Sequence, residues 1–201
     1  MSKFSLILVD LGGVLFDHEH ALSETAKKLK IPYKRFKSEI NKIYARCEVD
    51  GTTIDEFWRY LLKRVGSAVE VQKYKEAYNT NHTKNVELFK FLKSLKARGI
   101  KLGLSTNNIK NHVKDLDKIF AFLRLFDWVF DSSEMHVRKP EREYFEKILI
   151  TIKIPKENVL FIDDRLDYLK GAKSFDFKVF HFSDFRKSTK QLEKALKYNY
   201  A

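Results

Sequence analysis

The sequence predicts an α/β fold in which a parallel sheet is covered by helices on both faces and is interrupted, after its first strand, by an all-helical insertion. Two observations carry this. Along residues 4–17 and 83–201, short apolar runs alternate with amphipathic stretches, the order in which a chain lays down parallel strands joined by helical crossovers. Between residues 18 and 82 the alternation stops, and several helical periodicities follow one another with no convincing strand between them. The chain therefore divides into a discontinuous core, residues 1–17 and 83–201, and a helical insertion, residues 18–82.

Each element has a local reason. FSLILVD (4–10) is an apolar run of strand length that ends on a carboxylate. The insertion follows with ALSETAKKLK, YKRFKSEINKIYARCE and TIDEFWRYLLKRV, the last of which Thr52 or Thr53 can cap. VELFKFLKSLKARG then has a helical stripe and leads into the strand KLGLST (101–106). DWVFD (127–131) is a further candidate strand. EREYFEKILITIK is a helix, followed by the strands NVLFIDD (158–164) and FKVFHF (177–182). The three prolines, Pro32, Pro140 and Pro155, all fall between elements, and the chain shows neither solenoid repeats nor a low-complexity linker.

Composition narrows the functional classes. At 201 residues with 44% hydrophobic residues, the chain can build a substantial core. Its 39 Lys and Arg against 27 Asp and Glu give a formal charge of +12, which suits phosphorylated metabolites, nucleic acid or an anionic membrane surface. The basic residues are scattered over most helical stretches without a block of five, so nucleic acid is not the expected partner. The lone Cys47 excludes an internal disulfide. Its helix-like setting suggests packing rather than catalysis. The first apolar run is broken by Asp10 and lacks a small-residue cleavage pattern, and no run approaches the ~18–20 apolar residues of a membrane helix. The expectation is a soluble, cytoplasmic protein with no membrane association.

In open parallel sheets, ligands bind beyond the carboxyl ends of the strands. Here those ends deliver Asp10, then Thr106 with Asn107, then Asp163 with Asp164. Three neighbouring carboxylates repel one another unless a cation sits among them, and an all-oxygen set without His or Cys favours a hard ion such as Mg²⁺. Taken singly, Asp10 could cap its loop, and the Asp163–Asp164 pair could cap the helix RLDYLKGAK. Lys139 precedes Pro140, which suits the first turn of a helix and would aim its ammonium toward the sheet end.

The motifs VDLGGVLFD, GIKLGLSTNN, RKPEREYF and VLFIDDRLDYLKGAKSFDFKVFHF, in this order, resemble the haloacid dehalogenase-like (HAD) hydrolase superfamily over almost the whole chain. The resemblance implies a Rossmann-like core with an inserted helical cap. VDGTTIDEFW is similar to a cap turn common in the dehalogenase-like and sugar-phosphatase-like branches. Counting from Gly99 aligns Thr106, rather than Ser105, with the family's hydroxyl residue. By resemblance, Asp10 attacks phosphorus to form an aspartyl-phosphate, and Thr106 and Lys139 assist. Thr106, Asn107 and Lys139 contact the substrate. Mg²⁺ is held by Asp10, the Gly12 carbonyl and Asp164, with Asp163 direct or through water. Asp167, four residues after Asp163, is a candidate to orient Lys139 or close the acidic cluster.

One position departs from that pattern. Phosphatases of this superfamily usually carry a second aspartate two residues after the nucleophile, where it acts as general acid and base, and here that position is Gly12. Anomeric sugar, aryl and acyl phosphates, whose leaving groups need little protonation, would suffer least. A sugar-phosphatase-like branch shares the DLG pattern. Asp17, His18 and Glu19, at the start of the insertion, are candidates to substitute. The expected activity is Mg²⁺-dependent hydrolysis of a small phosphorylated metabolite, with sugar phosphates among the candidates. Two alternatives stand beside it: a metal-independent 2-haloacid dehalogenase, which Gly12 permits but Asp163 and Asp164 disfavour, and a weakly active or non-catalytic binding protein. Tyr44, Arg46 and Trp58 are candidate substrate contacts from the insertion.

Overall fold

The computed structural model describes residues 4–67 and 70–198. In chain order, β1 (Leu6–Val9) and the two-residue β2 (Phe16–Asp17) lead into four helices, α1 (His18–Lys28), α2 (Tyr33–Cys47), α3 (Ile54–Arg64) and α4 (Val71–Thr80). A second two-residue strand, β3 (Thr83–Lys84), precedes α5 (Val86–Ala97), β4 (Lys101–Thr106) and α6 (His112–Phe120). Then come β5 (Trp128–Asp131), the single turn α7 (Ser132–Met135), α8 (Arg142–Ile152), β6 (Val159–Asp163), α9 (Leu166–Lys173), β7 (Lys178–His181) and α10 (Ser188–Tyr198).

All five expected strands form one parallel sheet in the order β5-β4-β1-β6-β7. All four residues of β1 are buried, as a central strand covered on both faces requires. Its side chains alternate between two cores. Ile7 and Val9 join Leu102, Leu104 and Ile162 beneath α5 and α6, while Leu6 and Leu8 join Phe161 beneath α8 and α9. Register then aligns the strand ends: Val9 pairs with Leu104 on one side and Ile162 on the other. Asp10, Thr106 and Asp163 emerge along one edge as a result.

The insertion has its own apolar centre, in which Phe36, Ile40, Phe57, Trp58, Leu61 and Tyr78 pack with Ile109 of the core. Thr53, not Thr52, caps α3: its hydroxyl accepts from Glu56 N–H, and the Glu56 carboxylate accepts from Thr53 N–H in return. Cys47 is buried in this cluster, and burial raises its thiol pKa, which makes it a packing residue. Where the chain leaves and rejoins the core, β2 and β3 pair antiparallel, Asp17 opposite Thr83. Two residues per strand are too few to leave an alternation in the sequence.

Two local expectations change. Pro140 does not open a helix: it lies in a turn, joined to Lys139 by a cis peptide, and α8 starts at Arg142. The Asp163–Asp164 pair does not cap α9 either, because Arg165 is the N-cap and Asp163 Oδ1 accepts from Arg165 N–H at 2.9 Å. Among the described residues, no helix is long and apolar enough to cross a membrane.

Candidate active site

β1 lies between β4 and β6, so the chain runs outward from it in both directions and the loops at its carboxyl end diverge. That divergence opens a crevice at the sheet's switch point, and Asp10 stands at its floor. Into this crevice the chain brings Lys139, whose side chain is completely buried. Its Nζ donates to Asp10 Oδ1 at 2.7 Å, to Asp163 Oδ2 at 2.7 Å and to the Ser105 carbonyl at 2.9 Å. All three ammonium protons are therefore engaged. Asn107 fixes the lysine's backbone: its Oδ1 accepts from Lys139 N–H, and its Nδ2 donates to the Lys139 carbonyl and to the Tyr168 hydroxyl. With its amide engaged in this way, Asn107 orients Lys139.

The charges in this cluster do not balance. Burial opposes the Lys139 charge, but Asp10 and Asp163 outweigh it and hold the ammonium far above its ordinary pKa. Burial pushes the Asp10 carboxyl up, and Asp164 adds to the effect, against the lowering influence of Lys139. Asp163 and Asp164 are raised for the same first reason, burial. Three carboxylates thus face one ammonium. Among the described residues, Asp164 has no ion-pair partner.

This arrangement fits a divalent cation. Asp10, Asp163 and Asp164 can each offer a carboxylate oxygen, with these atoms all within 4.8 Å of one another. The donors are hard oxygens, as Mg²⁺ prefers. The loop after β1 is shaped around the acidic group: Gly13 has φ of +77°, and a Cβ there would meet Asp164 Oδ2 at 2.6 Å. The second glycine of the DLGG run is therefore required by both conformation and space.

Gly12 has a different neighbour. It does not adopt positive φ, and a Cβ built on it would lie 3.0 Å from His18 Nδ1. The imidazole of His18 thus occupies the space into which a side chain at position 12 would project. His18 Nδ1 is buried and has no hydrogen-bond partner, while Nε2 lies 3.5 Å from Glu19 Oε1. Burial works against protonation of this ring, but Glu19, Asp164 and Asp10 outweigh it and raise its pKa.

The strand alternation separates the two hydroxyls at the end of β4. Ser105 is buried against the Tyr144 hydroxyl at 2.9 Å, whereas Thr106 lines the crevice. Asp167 neither orients Lys139 nor joins the acidic cluster: both its oxygens accept from Arg165 at the surface. Arg46 points away and pairs with Asp50. Tyr44 and Trp58 do line the cavity that continues from Asp10 into the insertion, a space of about 750 Å³. Tyr168, Arg165 and the Arg138–Glu48 ion pair also border it. Nothing in the sequence singled these out, since each belongs to a different element and meets the site only through the fold.

Fold and crevice together define an α/β enzyme with a lysine-bridged carboxylate centre at the sheet's switch point. Residues 4–176 match the haloacid dehalogenase-like hydrolase family, and the chain belongs to it. Curated relatives include the drimenol cyclase of Aspergillus calidoustus, 31% identical over 89% of this chain but only 34% of its own length, so this chain spans about a third of that protein. The sesquiterpene phosphatase of Aspergillus oryzae is 23% identical over 91% of this chain and 92% of its own. The glyceraldehyde 3-phosphate phosphatase of Methanocaldococcus jannaschii is 27% identical over 83% and 79%. Among solved structures, a HAD family enzyme of Bacteroides thetaiotaomicron in complex with magnesium and inorganic phosphate has a TM-score of 0.72 at 22% identity, covering 89% of this chain and 93% of that one. The family makes this chain a hydrolase.

Proposed function

We propose that this protein is a Mg²⁺-dependent phosphatase of small phosphorylated metabolites that works through an aspartyl-phosphate on Asp10. The observation that carries the reading is the cluster of three carboxylates around one buried lysine, which leaves a net negative hole beside the nucleophile position. Asp10, Asp164 and the Gly12 carbonyl, with Asp163 beside them, would hold Mg²⁺, which supplies charge neutralisation for the incoming phosphoryl group. Lys139 ties down Asp10 Oδ1, which leaves Oδ2 to attack phosphorus. The Thr106 hydroxyl donates to a phosphoryl oxygen. Asp163 keeps the ammonium in place from its other side and has its second oxygen fixed by Arg165 N–H.

The missing carboxylate at Gly12 is made good by His18. Its Nδ1 donates a proton to the departing oxygen, and the ring then takes a proton from the water that opens the aspartyl-phosphate. Support comes from its position beside Gly12, its unpartnered nitrogen and the carboxylates that favour its charged form. Four helices over the crevice act as a cap that excludes bulk water.

The test is phosphate release from p-nitrophenyl phosphate, acetyl phosphate and glucose 1-phosphate, with Mg²⁺ and with EDTA, beside the Asp10→Asn variant. Activity is expected only with Mg²⁺ and an intact Asp10. Turnover that persists in EDTA or in Asp10→Asn would sink the reading, and metal-independent halide release from a 2-haloacid would replace it with dehalogenation.

A further inference from the structure

The cavity above Asp10 has a chemical character that its catalytic floor does not dictate. The apolar part of its insertion-side wall is made by Leu22, Ile40, Tyr44, Phe57, Trp58 and Tyr78. These are not isolated apolar residues: Trp58 packs edge-on against Tyr78 at 5.2 Å, and Phe57 against Tyr44 at 5.7 Å, so the wall is continuous and preformed.

Several charged groups around the same space are paired with one another, while His18 Nδ1, Trp58 Nε1 and His112 Nε2 are buried without a partner. Glu19 receives the Lys37 ammonium at 2.6 Å and the Tyr33 hydroxyl, Glu48 receives Arg138 at 2.7 Å, and Arg165 is taken up by Asp167. Asn107 and Asn108 are engaged too, the first by Lys139 and Tyr168, the second by His112 and its own chain. A sugar ring needs a hydrogen-bond partner for nearly every hydroxyl it buries, more than these three nitrogens offer, and breaking the existing pairs to provide others would strand a buried charge. A hydrocarbon or aromatic body needs only area.

Resting on the phosphatase reading above, we infer that the substrate is a phosphate monoester with an apolar body, an alkyl, isoprenoid-like or aryl group. The phosphate would lie against Asp10 and Thr106 and the body against the Leu22–Tyr44–Trp58 wall. About 750 Å³ falls within the range of sites that enclose a small organic molecule, and is far more than a phosphate needs.

Two measurements on the full chain test this. In the first, kcat/KM for octyl phosphate below its micelle concentration is compared with that for glucose 1-phosphate, with acetyl phosphate as a bodiless reference. Octyl phosphate is expected to win by more than tenfold, and Leu22→Gln to lower its value at least fivefold relative to that of acetyl phosphate. In the second, calorimetry compares octylphosphonate with methylphosphonate, which needs no turnover. Tighter binding of the octyl compound by more than tenfold is expected, since each methylene removed from water improves binding roughly fourfold. Glucose 1-phosphate turned over as well as octyl phosphate, or equal binding of the two phosphonates, overturns the inference and leaves the phosphatase reading intact. Tight octylphosphonate binding without hydrolysis of any phosphate ester or of acetyl phosphate upholds the occupant and defeats the phosphatase reading.

Discussion

At the scale of single residues, Lys139 carries the most consequence. Its ammonium is the only cation within ion-pair distance of Asp10 or Asp163 among the described residues. Removing one partner of a buried ion pair typically costs about 3–5 kcal/mol, because the other partner is left charged and desolvated. Lys139→Met is expected to abolish phosphatase activity and lower the Tm measured in EDTA. Part of that loss should return with Mg²⁺, which neutralises the same carboxylates. A Tm unchanged from wild type in EDTA would show that the carboxylates are protonated without it.

Position 12 gives a sharper test. Gly12→Asp alone must push the His18 ring aside, since the new Cβ would lie 3.0 Å from Nδ1. His18→Ala should slow alkyl phosphates by roughly 10²–10⁴, the usual worth of a general acid, and acetyl phosphate far less. Adding Gly12→Asp to His18→Ala should recover alkyl phosphate turnover, because the carboxylate then fills the vacated space. A uniform loss over all leaving groups in His18→Ala would mean that the ring only shapes the loop. The sequence shows the absent carboxylate plainly and names His18 only as one of three neighbours. What singles it out is a close approach between residues six apart across a turn, and no periodicity reports that.

At the scale of elements, the five strands of the main sheet and three of the insertion's four helices were legible because each has an apolar pattern longer than its turns, and that pattern follows from burial on one face or two. The β2–β3 ribbon and the turn holding Lys139 were not, because two residues define no period and a lysine at zero exposure looks in sequence like any surface lysine. The seam between insertion and core also hides a pair of histidines. His82, just after α4, and His112, at the start of α6, both pack on Tyr78. His82 Nδ1 donates to the Tyr78 carbonyl and His112 Nδ1 to Asn108 Oδ1, while His112 Nε2 is buried without a partner. Burial lowers their pKa values to about 4 and about 3. Below pH 6.5 the unfolded chain therefore binds protons that the folded chain refuses, so this pair lends stability at neutral pH that falls on acidification. The slope approaches about 1.4 kcal/mol per pH unit for each ring. Unfolding of wild type and of His82→Asn/His112→Gln is to be followed between pH 7 and pH 5. Wild type should lose stability more steeply than the variant, and parallel curves would show that the rings are solvated.

At the scale of the whole molecule, a chain of formal charge +12 gathers uncompensated negative charge at one point. On the proposed function, the net positive charge would favour the approach of a phosphate ester, and the acidic hole would keep its phosphate from settling beside Asp10 until a cation is there. Stability should report this directly. Asp10, Asp163 and Asp164 have folded pKa values raised above their unfolded ones, so without metal folding favours proton uptake at pH values between the two, and their contribution declines as pH rises through the raised values. Mg²⁺ bound at this cluster would reverse that sign at neutral pH, because it rewards the charged carboxylates. At a hundredfold excess over Kd, a ligand bound only by the folded state adds about 2.7 kcal/mol, or roughly 5–10 °C in Tm for a chain of this size. Asp164→Asn removes the carboxylate that has no protein counter-ion, so its metal-free Tm should equal or exceed that of wild type while the Mg²⁺-induced rise largely vanishes. A metal-free Tm well below wild type would mean that Asp164 supports the Gly13 turn instead. A Mg²⁺ response retained in full by Asp164→Asn would move the cation away from this cluster.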